Sequence, residues 1–159
     1  MNITIIAVGK IKEDYLKKAC SEYEKRLSRF CKLSIVEIPD APMSDRPSDA
    51  ERNAILKREG ARILSAIKDT DVLVSLCVEG KQLSSEDFAE SIDHACTNGA
   101  SHFTFIIGGS LGLLEEIKEK SHLRLSFSKM TFPHQLMRVI LLEQLYRAFK
   151  INRNESYHK

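Results

Sequence analysis

The stretch FIIGGSLGL, residues 105–113, places three glycines within five positions directly after a run of apolar and β-branched residues. The apolar run predicts a buried strand, and the glycines predict a sharp turn into the next element. Two familiar phosphate-binding loops do not fit, because the turn has neither a Gly-Lys-Ser/Thr ending nor the G-x-G-x-x-G spacing. Taken alone, the turn is equally compatible with a ligand site and with a plain strand-to-helix connection.

Strands and helices alternate along the chain on both sides of this glycine turn. Apolar periodicity and turn residues predict strands at 3–8, 33–38, 72–78, 103–107 and 123–127, and helices at 13–30, 48–68, 84–97, 113–120 and 133–150. Ser48 with Glu51 predicts a capping box at the start of the second helix. The alternation predicts one α/β domain, residues 1–159, with a mainly parallel sheet of about five strands and helices on both faces.

The composition is that of a globular protein without a membrane segment. The chain has 159 residues, of which 43% are hydrophobic, and no apolar run approaches the roughly 20 residues that span a bilayer. We therefore expect a cytoplasmic protein. The four cysteines have no C-x-x-C spacing, so neither a zinc site nor a disulfide framework is predicted, and we expect no metal.

Three segments are expected to meet at one edge of the sheet. In open parallel sheets ligands bind at the carboxyl ends of the strands. The end of the third strand at 76–80, the glycine turn and the segment 127–132 all follow strands. The glycines allow close approach of a ligand to the backbone, and Leu76, Leu111, Met130 and Phe132 offer apolar walls, which suits a compact adenosyl ligand without phosphates.

The C-terminal fifth differs from the rest in charge and hydrophobicity. The net charge of +2 divides into +4 for residues 129–159 and −2 for residues 1–128, which is a weak indication of a polyanionic partner. Between residues 136 and 149 apolar side chains cover more than one helical stripe. We interpret this as a second burial surface and hence a homodimer, the alternative being a central helix enclosed within one domain.

The turn, the segment LSFSKMTFPHQLMRVILLEQLYRAFKI at 125–151 and the terminal YHK resemble the ribosomal RNA large subunit methyltransferase H family of the SPOUT class. The resemblance covers the whole chain and implies a C-terminal trefoil knot that binds S-adenosylmethionine. It also implies methylation of N3 of a pseudouridine in a hairpin loop of 23S ribosomal RNA, by a homodimer acting on assembled ribosomes. Carried over by position, the implied cofactor contacts are Leu76, Gly108, Phe127, Ser128, Lys129, Met130, Thr131 and Phe132.

Methylation of an imide nitrogen needs a group that removes its proton or stabilises the resulting anion. His134, in the first turn of the last helix, is a candidate base, and its alternative role is packing at the start of that helix. The catalytic residues we predict are His134, Arg138, Tyr157 and His158. The predicted RNA-binding residues are Arg147, Lys150, Arg153 and Lys159, although Glu143 one turn earlier can occupy Arg147.

A non-catalytic ribosome-binding or assembly module is the alternative to an enzyme, since basic asymmetry and dimerisation serve both equally. A nucleotide-dependent oxidoreductase fits poorly, because only Gly9-Lys10 follows the first strand. In the C-terminal tail Asn154 and Ser156 stand where the family commonly has glycine and proline. We therefore expect a less preorganised tail.

Overall fold

The computed structural model describes residues 1–157. In this range strands and helices alternate in the predicted order, with five of each. They are β1 (Asn2–Val8), α1 (Asp14–Leu27), β2 (Lys32–Ile38), α2 (Asp49–Ala66), β3 (Val72–Gln82), α3 (Ser85–Thr97), β4 (His102–Ile107), α4 (Glu115–Lys120), β5 (Leu123–Ser126) and α5 (His134–Asn152).

The strands form one sheet in the order β2-β1-β4-β3-β5, and every neighbouring pair is parallel. The central strands are almost continuously buried, as expected when helices cover both faces. One apolar core lies between the sheet and α1, α3 and α5, and a second lies between the sheet and α2 and α4. The predicted parallel five-stranded sheet flanked by helices is confirmed.

Helix α5 is enclosed within the chain to a greater extent than the sequence suggested. It packs between α1 and α3 over the first core, and Leu141, Leu142 and Leu145 are fully buried there. The alternative considered from the sequence, a central helix enclosed within one domain, is therefore the arrangement observed for this side of α5. The apolar circumference of α5 is not by itself evidence for a dimer.

The start of α2 also differs in detail from the predicted capping box. Ser48 accepts a hydrogen bond from the Glu51 amide, as predicted. The Glu51 carboxylate, however, does not return to Ser48; it accepts from the amide and hydroxyl of Ser44 at 2.9 and 2.8 Å. A complete box forms instead at α3, where Ser84 and Asp87 cap each other.

β3 is longer than predicted because its pairing with β5 shifts register. Leu76 and Lys81 both pair with Leu125, so the residues between them bulge out of the ladder. After β5, residues 127–133 cross the carboxyl edge of the sheet to Gly9, against which the His134 ring packs. The trefoil knot that the resemblance implies stays a prediction.

Residues 1–157 contain neither a candidate membrane span nor a candidate metal site. No helix in that range has the length and apolar character needed to cross a membrane. The same range contains no group of three or more His, Cys, Asp or Glu side chains that could hold a metal ion. All four cysteines are free.

Candidate active site

A cavity of about 790 Å³ opens at the carboxyl edge of the sheet, where the three predicted segments meet. The end of β3 supplies residues 76–79, the glycine turn supplies 107–113, and the crossing segment supplies most of 125–134. Seven of the eight residues predicted to contact the cofactor line this cavity: Leu76, Gly108, Phe127, Ser128, Met130, Thr131 and Phe132. Lys129 is exposed and lies outside the lining that the described residues form.

The glycine turn is closed by a bridge between Gly109 and Gly112, whose amide donates to the Gly109 carbonyl at 3.0 Å. Gly108 lies directly behind this closure. A Cβ on Gly108 would lie 2.5 Å from the Gly112 carbonyl oxygen, which is closer than real Cβ contacts, so only glycine fits without movement of the backbone. Gly112 has φ +82°, a conformation that also favours glycine. Part of the cavity wall is therefore bare backbone.

The cavity lining also includes an ion pair that the sequence did not indicate. Glu79, in the bulge of β3, pairs with Lys118 of α4, and both side chains line the cavity. Lys118 also pairs with Glu115 at 3.1 Å. The hydrogen bond from Lys118 lowers the pKa of the Glu79 carboxyl, which stays ionised at neutral pH. This pair joins β3 to the helix that follows the glycine turn.

The crossing segment is held by short-range hydrogen bonds of two serines. The Ser126 hydroxyl donates to the Ser128 carbonyl at 2.9 Å, and the Ser128 hydroxyl accepts from the Met130 amide at 3.0 Å. Met130 remains 73% exposed at the mouth of the cavity. A long apolar side chain held in water at a cavity mouth is free to fold over a ligand.

His134 is half-buried and lines the cavity at the end nearest β1. Its ring lies against Gly9, where a Cβ would come within 2.9 Å of Nε2. Gly9 has φ +86° and follows β1, so two separate constraints require glycine there. The neighbouring Gln135 accepts from the Lys12 amide at 2.8 Å and fixes the start of α5. Both roles considered from the sequence, cavity group and helix-start packing, are compatible with this position.

Arg138 lies one helical turn after His134 but does not line the cavity. It is 5% exposed, its Nη1 pairs with Glu37 at 2.7 Å, and its Nη2 donates to the Gly9 carbonyl at 3.0 Å. Arg138, predicted as a catalytic residue, is therefore not placed at the cavity wall of its own chain. Its guanidinium is occupied by β1 and β2.

Tyr157 folds back onto α5 instead of reaching the cavity of its own chain. The turn is made by Asn154, which has φ 53°, and by the Glu155 amide, which donates to the Lys150 carbonyl. The Tyr157 ring packs edge-on against Tyr146, and its hydroxyl donates to Glu143 at 3.3 Å. Burial raises the pKa of Tyr157 to about 12, so its phenol stays protonated at neutral pH.

The predicted RNA-binding cations are largely engaged within the chain. Arg147 pairs with Glu143, as the spacing suggested, with Nε 3.0 Å from the carboxylate, and its guanidinium lies over the Tyr157 ring. Lys150 pairs with Glu155. Arg153 is exposed and its guanidinium lies 4.6 Å from the centre of the Phe30 ring. His158 and Lys159 lie outside the described residues.

Comparison with known proteins places this architecture among methyltransferases. A family model described as "Predicted SPOUT methyltransferase" matches residues 1–158. Two curated relatives, from Bacillus cytotoxicus and Bacillus thuringiensis, are each named "Ribosomal RNA large subunit methyltransferase H"; both are 54% identical to this chain over 159 residues, which is the full length of each protein.

Two solved structures share the fold at low sequence identity. A protein from Bordetella pertussis described as "Probable Methyltransferase" is 14% identical, with a TM-score of 0.58 over 92% of this chain and 93% of that one. A protein from Haemophilus influenzae described as a "probable methylase family protein" is 13% identical, with a TM-score of 0.56 over 99% of this chain and 70% of the other. At these identities the likeness concerns the fold alone.

Proposed function

The chain belongs to the SPOUT methyltransferase family, and from this premise we propose that it methylates N3 of a pseudouridine in a hairpin loop of 23S ribosomal RNA. S-adenosylmethionine is the methyl donor. The observation that carries the proposal is the meeting of three separate segments, 76–79, 107–113 and 125–134, around one cavity. Full-length similarity to named ribosomal RNA methyltransferases favours this enzyme over a non-catalytic ribosome-binding module.

The residues of the cavity fit S-adenosylmethionine in size and chemistry. Its volume of about 790 Å³ lies within the usual range for small-molecule sites. The bare backbone at Gly108 allows the edge of an adenine to approach, and Leu76 and Phe132 provide apolar contact. The Glu79–Lys118 pair is the charged pair of the described lining, and its two charges compensate each other.

When bound, the cofactor supplies an electrophilic methyl group, whose bond to sulfur breaks as its bond to N3 forms. The protein's part is to align the reacting atoms and to remove the N3 proton. We assign proton removal to His134, because its imidazole lines the cavity and Tyr157 stays a neutral phenol. A base in this position typically contributes about 10²- to 10⁴-fold in rate.

Arg138 acts on this chemistry through position. Since it ties Gly9 and Glu37 to α5 one turn beyond His134, it holds the base at the end of β1. The exposed Arg153 and the terminal Lys159 are assigned to phosphate contacts with the RNA. Arg147 and Lys150 would have to leave their carboxylate partners to join them.

We further propose that the whole chain, residues 1–159, is one domain that works as a homodimer on assembled ribosomes in the cytoplasm. Ile140 supports the dimer, because it is only partly buried and lies on the outward side of α5 with Glu143 and Arg147. Tyr157 contacts Glu143, which is about 14 Å along the helix from His134. Tyr157 and His158 therefore complete an active site in the partner subunit or after the tail leaves α5.

The test is transfer of labelled methyl from S-adenosylmethionine to ribosomes that lack the modification, with the product nucleotide mapped by mass spectrometry. Label on a pseudouridine of 23S ribosomal RNA is the expected result, with little label on naked RNA. Cofactor binding without label on ribosomes would refute the substrate. Light scattering of the wild type and of Ile140→Arg tests the dimer. We expect twice the chain mass for the wild type and the mass of a single chain for Ile140→Arg.

A further inference from the structure

Glu59 is a buried ionisable residue that the cavity itself does not use. It lies on α2, on the face of the sheet opposite α5, and is 5% exposed. Its Oε1 accepts a hydrogen bond from the Ala41 amide at 3.0 Å. Ala41 belongs to the long proline-containing loop 39–48 and is itself 8% exposed. The loop is thus anchored through its backbone to a buried carboxylate.

The other oxygen of Glu59 faces the glycine turn. A Cβ placed on Gly109 would lie 3.3 Å from Glu59 Oε2 and 3.1 Å from Val8 Cγ1. The next residue of α2, Gly60, meets the other end of the same segment, since a Cβ there would lie 2.7 Å from Leu114 Cδ2. Two adjacent residues of α2 therefore support residues 109–114 from behind, and most of that segment lines the cavity.

We propose that Glu59 is a positioning residue that couples the loop 39–48 to the cofactor-binding turn, so that ordering either one stabilises the other. The proposal rests on the cofactor site assigned above. One carboxylate serves both segments, and a buried carboxylate that loses a backbone donor is costly. A loop that detaches at Ala41 therefore leaves Glu59 free to shift against Gly109. By reciprocity, a ligand that fixes the turn must tighten the loop by the same factor.

The chain provides a matched control in Glu51. This residue also lies on α2 and also accepts a backbone amide of the same loop, that of Ser44. In contrast to Glu59, Glu51 lies at the start of α2, two turns from the residues that support the glycine turn. Substitution of Glu51 therefore loosens the loop without disturbing the turn directly.

The experiment measures S-adenosylmethionine affinity by calorimetry for wild type, Glu59→Ala, Glu59→Gln and Glu51→Ala, with thermal melts to verify folding. We expect the affinity of Glu59→Ala to fall about tenfold. Glu59→Gln keeps a carbonyl that can accept from Ala41, so we expect a loss of no more than about threefold, and Glu51→Ala should stay within about twofold of wild type. In wild type, the cofactor should slow hydrogen exchange of the Ala41 amide more than that of the Ser44 amide.

Each outcome decides between coupling and a purely structural role. A folded Glu59→Ala with wild-type affinity overturns the proposal, as does an Ala41 exchange rate that the cofactor leaves unchanged. If Glu59→Ala does not fold, Glu59→Gln and the exchange measurement on wild type decide. If wild type binds the cofactor without protecting the turn amides, the assigned site is wrong and the coupling falls with it. If instead the cofactor protects the turn amides but not the Ala41 amide, the assigned site stands and only the coupling is refuted.

Discussion

Replacing Gly108 by alanine should weaken both the fold and cofactor binding, because the new Cβ has no room. It would lie 2.5 Å from the Gly112 carbonyl oxygen and 2.7 Å from the Gly112 carbonyl carbon. Both neighbours are backbone atoms, so relief requires the turn to open by about 1 Å. Overpacking of this kind costs about 1–3 kcal/mol. For a chain of this size that corresponds to a fall of roughly 2–12 °C in Tm.

Alanine substitutions at two other glycines measure the cost of ordinary backbone strain without a steric clash. Gly112 and Gly99 have φ +82° and +97°, and a Cβ on either meets nothing within 4 Å. Alanine at either position costs about 1–2 kcal/mol for the left-handed conformation alone. Gly112 belongs to the cavity, whereas Gly99 ends α3 at the amino edge of the sheet. Gly99→Ala is therefore the stability control.

The three variants are Gly108→Ala, Gly112→Ala and Gly99→Ala. Thermal melts followed by circular dichroism, together with calorimetric titration of S-adenosylmethionine, distinguish them. We expect all three to lower Tm and Gly99→Ala to keep wild-type affinity. If about 1.4 kcal/mol of the strain at Gly108 falls on the binding-competent turn, Gly108→Ala loses tenfold in affinity. A Gly108→Ala variant that melts early yet binds as tightly as Gly99→Ala would show that the turn supports the fold and not the cofactor.

The remaining predictions concern the base, the cavity wall and acid stability. His134→Gln should lower kcat by about 10²- to 10⁴-fold with little change in cofactor affinity, and a kcat within threefold of wild type would exclude His134 as the base. Bound cofactor should slow iodoacetamide labelling of Cys77, which lines the cavity, but not of Cys96 on α3. Labelling is measured by mass spectrometry at pH 9, because burial raises the pKa of both thiols. Equal protection of the two cysteines would argue against this site. Backbone hydrogen bonds from Ser101 and His102 lower the pKa of Asp71, so the stability it provides is present above about pH 4 and lost as pH falls through the lowered value. The Tm difference between wild type and Asp71→Ala should accordingly shrink below pH 4, and a difference that grows on acidification would contradict the assignment.

Local sequence patterns were sufficient to predict the strands and helices and the edge of the sheet at which the cavity lies. The buried strands β1, β3 and β4 were predictable because parallel strands covered on both faces are continuous apolar runs. In such a sheet, chain segments that follow strands converge on one edge, so the cavity could be expected from the order of elements alone. The bulge in β3 could not be predicted, because it depends on the pairing register with β5, which lies some 45 residues further along the chain.

The hydrogen-bond and packing partners of several side chains could not be predicted from such local patterns. Arg138 resembles a surface cation of an amphipathic helix, yet its partner Glu37 lies 101 residues away on another element. Glu51 has the spacing of a capping box, but a nearby loop amide competes successfully for its carboxylate. The position of α5 between two helices depends on packing of the whole chain. For Arg138 and α5 the deciding contact is tertiary, whereas for Glu51 it is a loop residue seven positions earlier in the chain.

Arg138 and His134, predicted from the sequence as separate catalytic groups, meet at one residue after β1. Both touch Gly9: Arg138 donates to its carbonyl, and the His134 ring lies against its Cα side. Residues four apart on a helix share one face, so a single glycine after β1 contacts both the proposed base and the arginine one turn beyond it. A buried arginine that loses its partner costs about 3–5 kcal/mol, so the Glu37–Arg138–Gly9 contacts resist any rotation of the first turn of α5. If His134 is the base as proposed, Arg138 would fix the direction of its imidazole and would not itself act on the substrate.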